Sequence, residues 1–278
     1  MELAWKVAEG SEVRLADYDP DYTAKNTSHS EAKEELDKLG AELDGLQELM
    51  WAAHHHSLLL ILQGMDTSGK DGTIRHVFSH VNPQGCAVQA FKVPTEEEAS
   101  HDFLWRAHKV TPGRGALTIF NRSYYEDVLV VRVHNLVPEE VWTKRYKEIK
   151  HFEKLLVDNK TIVLKFFLHI SKDEQEQRLL AREKDKDKAW KVAVGDWKER
   201  AYWDEYQKAY EVALSKCSTD KAPWYIVPAN HKWYRNLAIA HTLVHVLRGY
   251  KDEWQADLEK RGRQALAELR QMRKEAHK

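Results

Sequence analysis

The segment from Gly64 to Gly72 carries the most distinctive chemistry in the chain. It reads Gly-Met-Asp-Thr-Ser-Gly-Lys-Asp-Gly, which has the spacing of a G-x-x-x-x-G-K motif, and it directly follows an apolar run. Glycines let the backbone wrap so that its N–H groups point inward, and a lysine adds a point charge suited to phosphate. The pattern predicts a phosphate-binding loop that consists of Gly64, Thr67, Ser68, Gly69, Lys70, Asp71 and Gly72.

The loop departs from the usual motif after Lys70. Asp71 stands where a Ser or Thr hydroxyl normally binds Mg²⁺. A carboxylate beside phosphates is repulsive unless a cation lies between them, so Asp66 is the predicted metal ligand. Asp71 has an alternative role as a helix-capping residue, because a negative charge stabilises a helix N-terminus.

A second polar cluster, residues 121–127, follows the apolar run at 116–120. It reads Asn-Arg-Ser-Tyr-Tyr-Glu-Asp. Asn121 is neutral and can orient a metal-bound water without adding charge. Glu126 and Asp127 are the nearest acids able to complete a Mg²⁺ site, or they are simply first-turn acids of a helix.

Arginines around these two motifs are predicted phosphate ligands, because a guanidinium binds phosphate oxygens through two parallel hydrogen bonds. Arg122 adjoins the second cluster, and Arg75 extends the basic charge beyond the loop. Arg178 and Arg182 are four residues apart, so they share one helix face and can clamp a chain of phosphates. The alternative is a solvated charged helix, which we prefer for the lysines that follow, Lys184, Lys186 and Lys188.

Short apolar runs alternate with helical patterns along the chain, and this alternation predicts a doubly wound α/β sheet with ligands at the carboxyl ends of its strands. Leucines at three- and four-residue steps make the first helical pattern amphipathic, for packing on the core or for a dimer seam. The predicted strands are 57–62, 116–120, 161–168 and 224–227, and the predicted helices are 30–50, 71–80, 138–158, 172–183, 231–248 and 252–276.

Composition narrows the class of protein. The 278 residues carry 43 Lys+Arg against 44 Asp+Glu, a formal net charge of -1, which does not favour a nucleic-acid binder. The two cysteines indicate neither a disulfide framework nor a zinc site. No leader or membrane-spanning run is recognisable, so we expect a cytoplasmic protein without a membrane partner.

Taken together, these motifs resemble the polyphosphate kinase 2 family over roughly residues 30–250. The resemblance implies an α/β fold, a P-loop kinase-like three-layer sandwich with a parallel sheet, a helical lid and N- and C-terminal helical extensions. The expected single domain divides into an N-terminal arm and helix (1–55), a core (57–250) with a lid at about 171–205, and a C-terminal helix (251–278).

The resemblance also implies an activity, the Mg²⁺-dependent transfer of a phosphoryl group from inorganic polyphosphate to a nucleotide, with Mn²⁺ as an alternative metal. Asn121 followed by Tyr125 and Glu126 resembles the subgroup that accepts both AMP and ADP. On this basis Asn121, Arg122, Tyr125 and Glu126 are expected to bind nucleotide, Asp66 and Asp127 to bind metal, and Asp66, Lys70, Arg122 and Arg178 to be catalytic. A homo-oligomer, a dimer or a tetramer, is expected.

Two other functions fit the motifs. An ATP-dependent nucleoside-monophosphate kinase would use the same loop and lid arginines with a different donor pocket. A nucleotide-regulated binding protein would bind phosphate at the loop without turnover.

Overall fold

A six-stranded sheet forms the centre of the molecule. The computed structural model describes residues 2–25, 27–184 and 194–276. In spatial order the strands are β1 (Trp5–Lys6), β6 (Trp224–Pro228), β5 (Thr161–His169), β2 (Ser57–Gln63), β4 (Leu117–Asn121) and β3 (Cys86–Ala90). All neighbours pair in parallel except β1, which pairs with β6 in the antiparallel sense.

Burial of the central strands on both faces explains why apolar runs identify strands in this sequence. Every residue of β2 and β5 is buried, as is typical of parallel strands covered on both faces. By contrast, β3 is a half-exposed edge strand and β1 has only two residues, and neither was predicted. The predicted α/β fold is confirmed, with β1 as an antiparallel addition to its parallel sheet.

Helices cover the sheet. They are α1 (His29–Ala53), α2 (Lys70–Val77), α3 (Glu96–Ala99), α4 (Trp105–His108), α5 (Val130–Val133), α6 (Glu139–Asp158), α7 (Lys172–Lys184), α8 (Val194–Arg200), α9 (Trp203–Cys217) and α10 (Lys232–Ala276). α6 packs on β5 and on α9, while α10 packs on α1, α2 and the strands β5 and β6. No helix among the described residues is both long and apolar enough to cross a membrane.

The C-terminal region differs from the prediction of two helices. α10 runs without a break for 45 residues, through Gly249 and the expected boundary at 250. Trp254 is fully buried, but Leu266 and Leu269 are exposed, so the last turns do not pack on the core.

Parallel pairing determines where the polar motifs meet. β2 and β4 are in register from Leu58 with Leu117 to Leu62 with Asn121, so both strands end at the same edge of the sheet. The loop after β2 and the cluster after β4 are therefore neighbours in space. This edge is the carboxyl end of the sheet, where α/β folds bind ligands.

Candidate active site: a cationic cavity around the phosphate loop

The loop between β2 and α2 adopts a conformation that only particular residues allow. Gly64 and Gly69 have φ of 152° and 101°. A Cβ at Gly64 would lie 2.7 Å from Ser68 Oγ and 2.8 Å from the Leu168 carbonyl oxygen. Thr67 has a φ of 64°, a left-handed conformation that costs a non-glycine residue about 1 kcal/mol or more. Strain of this kind is commonest at functional sites.

Lys70 begins α2 and folds back over the loop. Its ammonium donates to the carbonyl oxygens of Gly64 at 2.8 Å and Met65 at 3.1 Å. Burial is the main cause that lowers the pKa of Lys70 to about 8, with the charge of Arg122 second. The lysine is thus held in place but poorly solvated, and a bound anion would stabilise its charge.

Residues of the second motif contact the loop directly. Asn121 Nδ2 donates to Asp71 Oδ1 at 2.7 Å, and Arg122 Nη2 donates to Asp66 Oδ1 at 2.5 Å. Arg122 also has a left-handed φ of 61° and lies 3.7 Å from Glu126. Burial disfavours its charge, but Glu126 and Asp66 outweigh that effect and raise the pKa of Arg122 above its ordinary value.

Arg178 supports the loop from behind. Its Nη1 donates to the carbonyl oxygens of Thr67 and Ser68, and its Nη2 donates to those of Ala229 and Asn230. Its Nε pairs with Glu174. All three nitrogens therefore contact protein oxygens, an arrangement that differs from the predicted clamp on a phosphate chain.

Arg182 lies one turn further along α7 and lines the cavity above the loop. Its Nη1 is 3.1 Å from Asp196 Oδ2 on α8, so α7 and α8 are joined by an ion pair. Burial, followed by the charge of Asp66, raises the pKa of Asp196 above its ordinary value. The predicted basic residues Lys186 and Lys188 lie outside the described residues.

The cavity has a volume of about 1070 Å³ and opens at the carboxyl edge of the sheet. Among the described residues nine lysines and arginines line it, against three aspartates, Asp66, Asp71 and Asp196. The chain as a whole has a net charge of -1, so positive charge is concentrated here. The nine are Lys33, Lys70, Arg75, Lys92, Arg122, Arg178, Arg182, Lys232 and Arg235.

Two predicted site residues lie elsewhere. Tyr125 is fully buried, and its hydroxyl donates to Glu153 Oε1 at 2.8 Å within the core. Asp127 pairs with Arg145 at 3.0 Å and lies 3.8 Å from Arg106, and neither it nor Tyr125 lines the cavity. Tyr125 and Asp127 therefore lie outside the lining of the cavity, as does Glu126, which lies 3.7 Å from Arg122.

Other residues at the cavity were not predicted. Arg235 lies in the first turn of α10, directly after β6, and Asp196 lies on α8. The rule that drew attention to Asn121, polar residues just after a buried strand, also applies to the segment after β6. Asp196 has no comparable sequence signal, because its place depends on how α7 and α8 pack against each other.

The cavity fits a hard divalent cation that is held partly by protein carboxylates and partly by substrate phosphates. No group of three or more His, Cys, Asp or Glu residues in the described chain is placed to hold a metal by itself. Mg²⁺, however, commonly binds one or two carboxylates together with substrate phosphates and waters. Asp66 is partly exposed in the cavity, and Asp71 and Asp196 offer further oxygens. Mn²⁺ accepts the same kind of ligands.

Comparisons with known proteins agree with this geometry. Residues 26–255 match the family model described as polyphosphate kinase 2 (PPK2). An AMP/ADP-polyphosphate phosphotransferase of Meiothermus ruber is 52% identical over 246 residues, which cover 88% of this chain and 92% of that protein. An ADP-polyphosphate phosphotransferase of Rhodopseudomonas palustris is 42% identical over 283 residues, 96% of each chain.

Solved structures give the same result. The crystal structure of polyphosphate kinase 2 from Arthrobacter aurescens TC1 is similar with a TM-score of 0.85 and 46% identity, and 88% of each chain is covered. The sequence match, the fold and the loop geometry therefore lead to one conclusion. The chain belongs to the polyphosphate kinase 2 family.

Proposed function

We propose that this protein transfers the terminal phosphoryl group of inorganic polyphosphate to AMP or ADP in a reversible, Mg²⁺-dependent reaction. The observation that carries the proposal is the concentration of nine basic side chains around a phosphate loop in a chain whose net charge is -1. A polyanion is the natural ligand of such a cavity. The printed activities of the relatives from Meiothermus ruber and Rhodopseudomonas palustris support the choice of polyphosphate and of AMP or ADP.

The reaction requires positioning and charge stabilisation more than it requires a protein nucleophile. In the proposed mechanism the terminal phosphate of the donor binds at the loop amides and Lys70. Arg122 moves from its ion pair with Asp66 to the phosphate oxygens, and Arg182 contacts them from the lid. A nucleotide phosphate oxygen attacks the terminal phosphorus in line, the P–O bond to the next phosphate breaks, and the shortened polyphosphate leaves. The attacking oxygen needs no general base, because a phosphate acceptor is already ionised.

Mg²⁺ would be held by Asp66 and the substrate phosphates, and it would neutralise developing negative charge. Arg178 contributes in this proposal through the loop, because its guanidinium contacts the Thr67 and Ser68 carbonyls. Asn121, which lines the cavity, and Glu126, which lies 3.7 Å from Arg122, remain the proposed nucleotide contacts.

The test is nucleotide chromatography after incubation of the protein with AMP or ADP, Mg²⁺ and polyphosphate in the absence of ATP. We expect AMP to yield ADP and ATP, and ADP to yield ATP. Omission of Mg²⁺ should stop the reaction, and Mn²⁺ should restore part of it. If no product forms with polyphosphate while ATP supports phosphorylation of AMP, the protein is an ATP-dependent monophosphate kinase instead.

We also propose a cytoplasmic homo-oligomer, a dimer or a tetramer. Support for association comes from the end of α10, where Leu266, Leu269 and Met272 are exposed. Contiguous exposed apolar side chains commonly mark a contact surface. Sedimentation velocity of the intact protein tests this proposal, and a monomer at micromolar concentration would contradict it.

A further inference from the structure

Arg235 is the most unusual charged residue at the cavity. It lies in the first turn of α10 and is only 2% exposed. It is 165 positions beyond Lys70 in the chain. The fold nevertheless brings its guanidinium against the phosphate loop.

The guanidinium occupies the space that side chains at two loop glycines would need. A Cβ at Gly69 would lie 1.8 Å from Arg235 Nη1, and a Cβ at Gly72 would lie 3.3 Å from Nη2. These two glycines therefore do more than allow a turn. They let a buried cation approach the backbone of the loop.

Arg235 also fixes the direction of one peptide group. Its Nη1 donates to the Ser68 carbonyl oxygen at 3.2 Å, and Arg178 Nη1 donates to the same oxygen at 3.2 Å. The carbonyl and N–H of a planar trans peptide point in opposite directions. Two guanidinium groups that hold the Ser68 carbonyl on one side therefore direct the Gly69 N–H to the opposite side of that peptide.

The charge of Arg235 is not neutralised within the part of the chain that the structure describes. Its remaining hydrogen bonds go to the neutral Asn236 Oδ1, at 2.8 and 3.2 Å, and no described carboxylate is ion-paired with it. Burial is the main cause that lowers the pKa of Arg235 to about 9, with the charge of Arg178 second. Arg178 differs, since it pairs with Glu174. A buried cation of this kind is stabilised when an anion enters the cavity.

We propose that Arg235 is a positioning residue for the polyphosphate donor: it holds the Ser68 peptide of the phosphate loop in the anion-binding orientation and supplies an unneutralised positive charge behind it. This inference rests on the proposed binding of polyphosphate at the loop. It assigns the effect to the donor and not to the acceptor nucleotide, because the contacts of Arg235 are with the loop.

The experiment measures binding of inorganic tripolyphosphate by calorimetry and steady-state kinetics with polyphosphate and AMP. Arg235→Lys keeps the charge but loses the forked geometry, and Arg235→Gln loses both. We expect tripolyphosphate affinity to fall about tenfold for Arg235→Lys and about a hundredfold for Arg235→Gln, since hydrogen bonds to charged groups contribute strongly. The KM for AMP should change less than about twofold, a split that a general loss of structure would not produce.

Arg248→Lys is the matched control, since it makes the same change on the same helix at an exposed residue paired with Glu42. It should bind tripolyphosphate as the unmodified protein does. Melting temperatures of all variants establish that they are folded. Tripolyphosphate affinity that is unchanged in folded Arg235 variants, or a KM for AMP that rises in parallel with donor affinity, would overturn the inference.

Gly72→Ala provides a second test that does not alter Arg235. Alanine favours a helix over glycine by about 1 kcal/mol, so this variant should fold, while its Cβ pushes on Arg235 Nη2. We expect a donor-specific loss of about threefold or more, and no further loss when Arg235→Lys is already present, because contacting residues are coupled. If the Arg235 variants do not fold, Gly72→Ala alone decides: a donor-specific loss supports the inference, and no loss overturns it.

These outcomes separate the two proposals. If the unmodified protein does not bind tripolyphosphate, the proposed function fails and the inference fails with it. If the unmodified protein binds and the folded Arg235 and Gly72 variants bind equally well, only the inference fails.

Discussion

Two buried lysines, Lys165 within β5 and Lys70 at the start of α2, show how the same side chain serves structure in one place and chemistry in another. Lys165 lies within β5, is fully buried, and donates to Glu153 Oε2 at 2.5 Å, the Cys217 carbonyl at 2.6 Å and the Tyr125 hydroxyl at 3.1 Å. Lys70 follows β2 and has backbone carbonyls as its close partners, without a described carboxylate in an ion pair.

The two lysines differ in whether an uncompensated positive charge remains available to a bound ligand. An ammonium has three donors, and Lys165 uses all of them on well-placed acceptors, one of which is a carboxylate. Its charge is therefore compensated inside the core. Lys70 lines an open cavity, and burial lowers its pKa to about 8. An uncompensated buried charge at a cavity is the better indicator of function.

The largest effect should come from Lys70→Ala. This change removes the only lysine of the loop and should lower kcat by about a thousandfold or more, as expected for loss of charge stabilisation in phosphoryl transfer. The melting temperature should stay near that of the unmodified protein. A folded Lys70→Ala protein that keeps more than about a tenth of the rate would contradict the assignment of the loop.

Lys165→Met should give the opposite result. It leaves the Glu153 carboxylate buried without its cation, so the free energy of unfolding should fall by about 3–5 kcal/mol. Urea unfolding measures the loss. Protein that remains folded at low temperature should keep kcat within about threefold, because the Lys165 ammonium does not reach the cavity. A large loss of kcat with unchanged stability would contradict this comparison.

Asp66→Asn extends the comparison from the two lysines to two carboxylates. Asp66 is exposed to the cavity and paired with Arg122, whereas Glu153 is enclosed in the core. We expect activity to fall about a hundredfold and the Mg²⁺ titration to shift to higher concentration, because a neutral amide is a weaker ligand for a hard cation. A normal Mg²⁺ titration would show that other groups hold the metal.

Tyr125→Phe distinguishes a core role from nucleotide binding. The change removes a hydroxyl between Glu153 and Lys165, so the free energy of unfolding should fall by about 1–3 kcal/mol. The KM for AMP should not change. A raised KM for AMP without loss of stability would restore the sequence-based prediction that Tyr125 contacts the nucleotide.

The smallest effect concerns pH. Because the pKa of Lys70 is lowered to about 8, the unliganded protein loses this charge as the pH rises through that value. Tripolyphosphate affinity should fall severalfold, by about fourfold at half a unit above that pKa, from this group alone. Lys70→Arg should remove this fall of tripolyphosphate affinity with pH, since a guanidinium does not titrate in that range.

The same shift has a consequence for stability with a defined sign. Between the folded pKa of about 8 and the ordinary value of 10.5, the unfolded chain holds more protons at this group than the folded chain does. The contribution of Lys70 to the free energy of unfolding therefore rises with pH in that window. A contribution that falls there would contradict the lowered pKa.

Sequence reasoning succeeded where a local pattern implied a position in the fold. The apolar run before Gly64, bounded at once by a glycine-containing loop, favoured a buried strand, and parallel pairing places Asn121 and Arg122 beside the loop. Tertiary packing decides the positions of other residues, which the sequence pattern does not show. Tyr125 and Asp127 adjoin Arg122 and Glu126 in the chain, yet a short 3₁₀ helix from Tyr124 to Val128 turns them into the protein.

Contacts between residues far apart in the sequence could not be predicted either, because tertiary packing decides them. Arg235 reaches the loop only because β6 lies beside β5 and α10 then crosses back towards α2. The edge strand β3 has a mixed sequence, Cys-Ala-Val-Gln-Ala, which lacks the apolar run that identified the central strands. Gly249 lies in the predicted break between 248 and 252, but a glycine with no neighbour within 4 Å is tolerated in a helix.

Because α10 is uninterrupted, one helix contacts both ends of β2. Arg235 contacts the phosphate loop, and 19 residues later, a distance of about 28 Å along a helix, Trp254 Nε1 donates to His56 Nδ1 just before β2 begins. The same helix therefore contacts the chain at both ends of β2, through Trp254 at the amino end and through Arg235 at the carboxyl end.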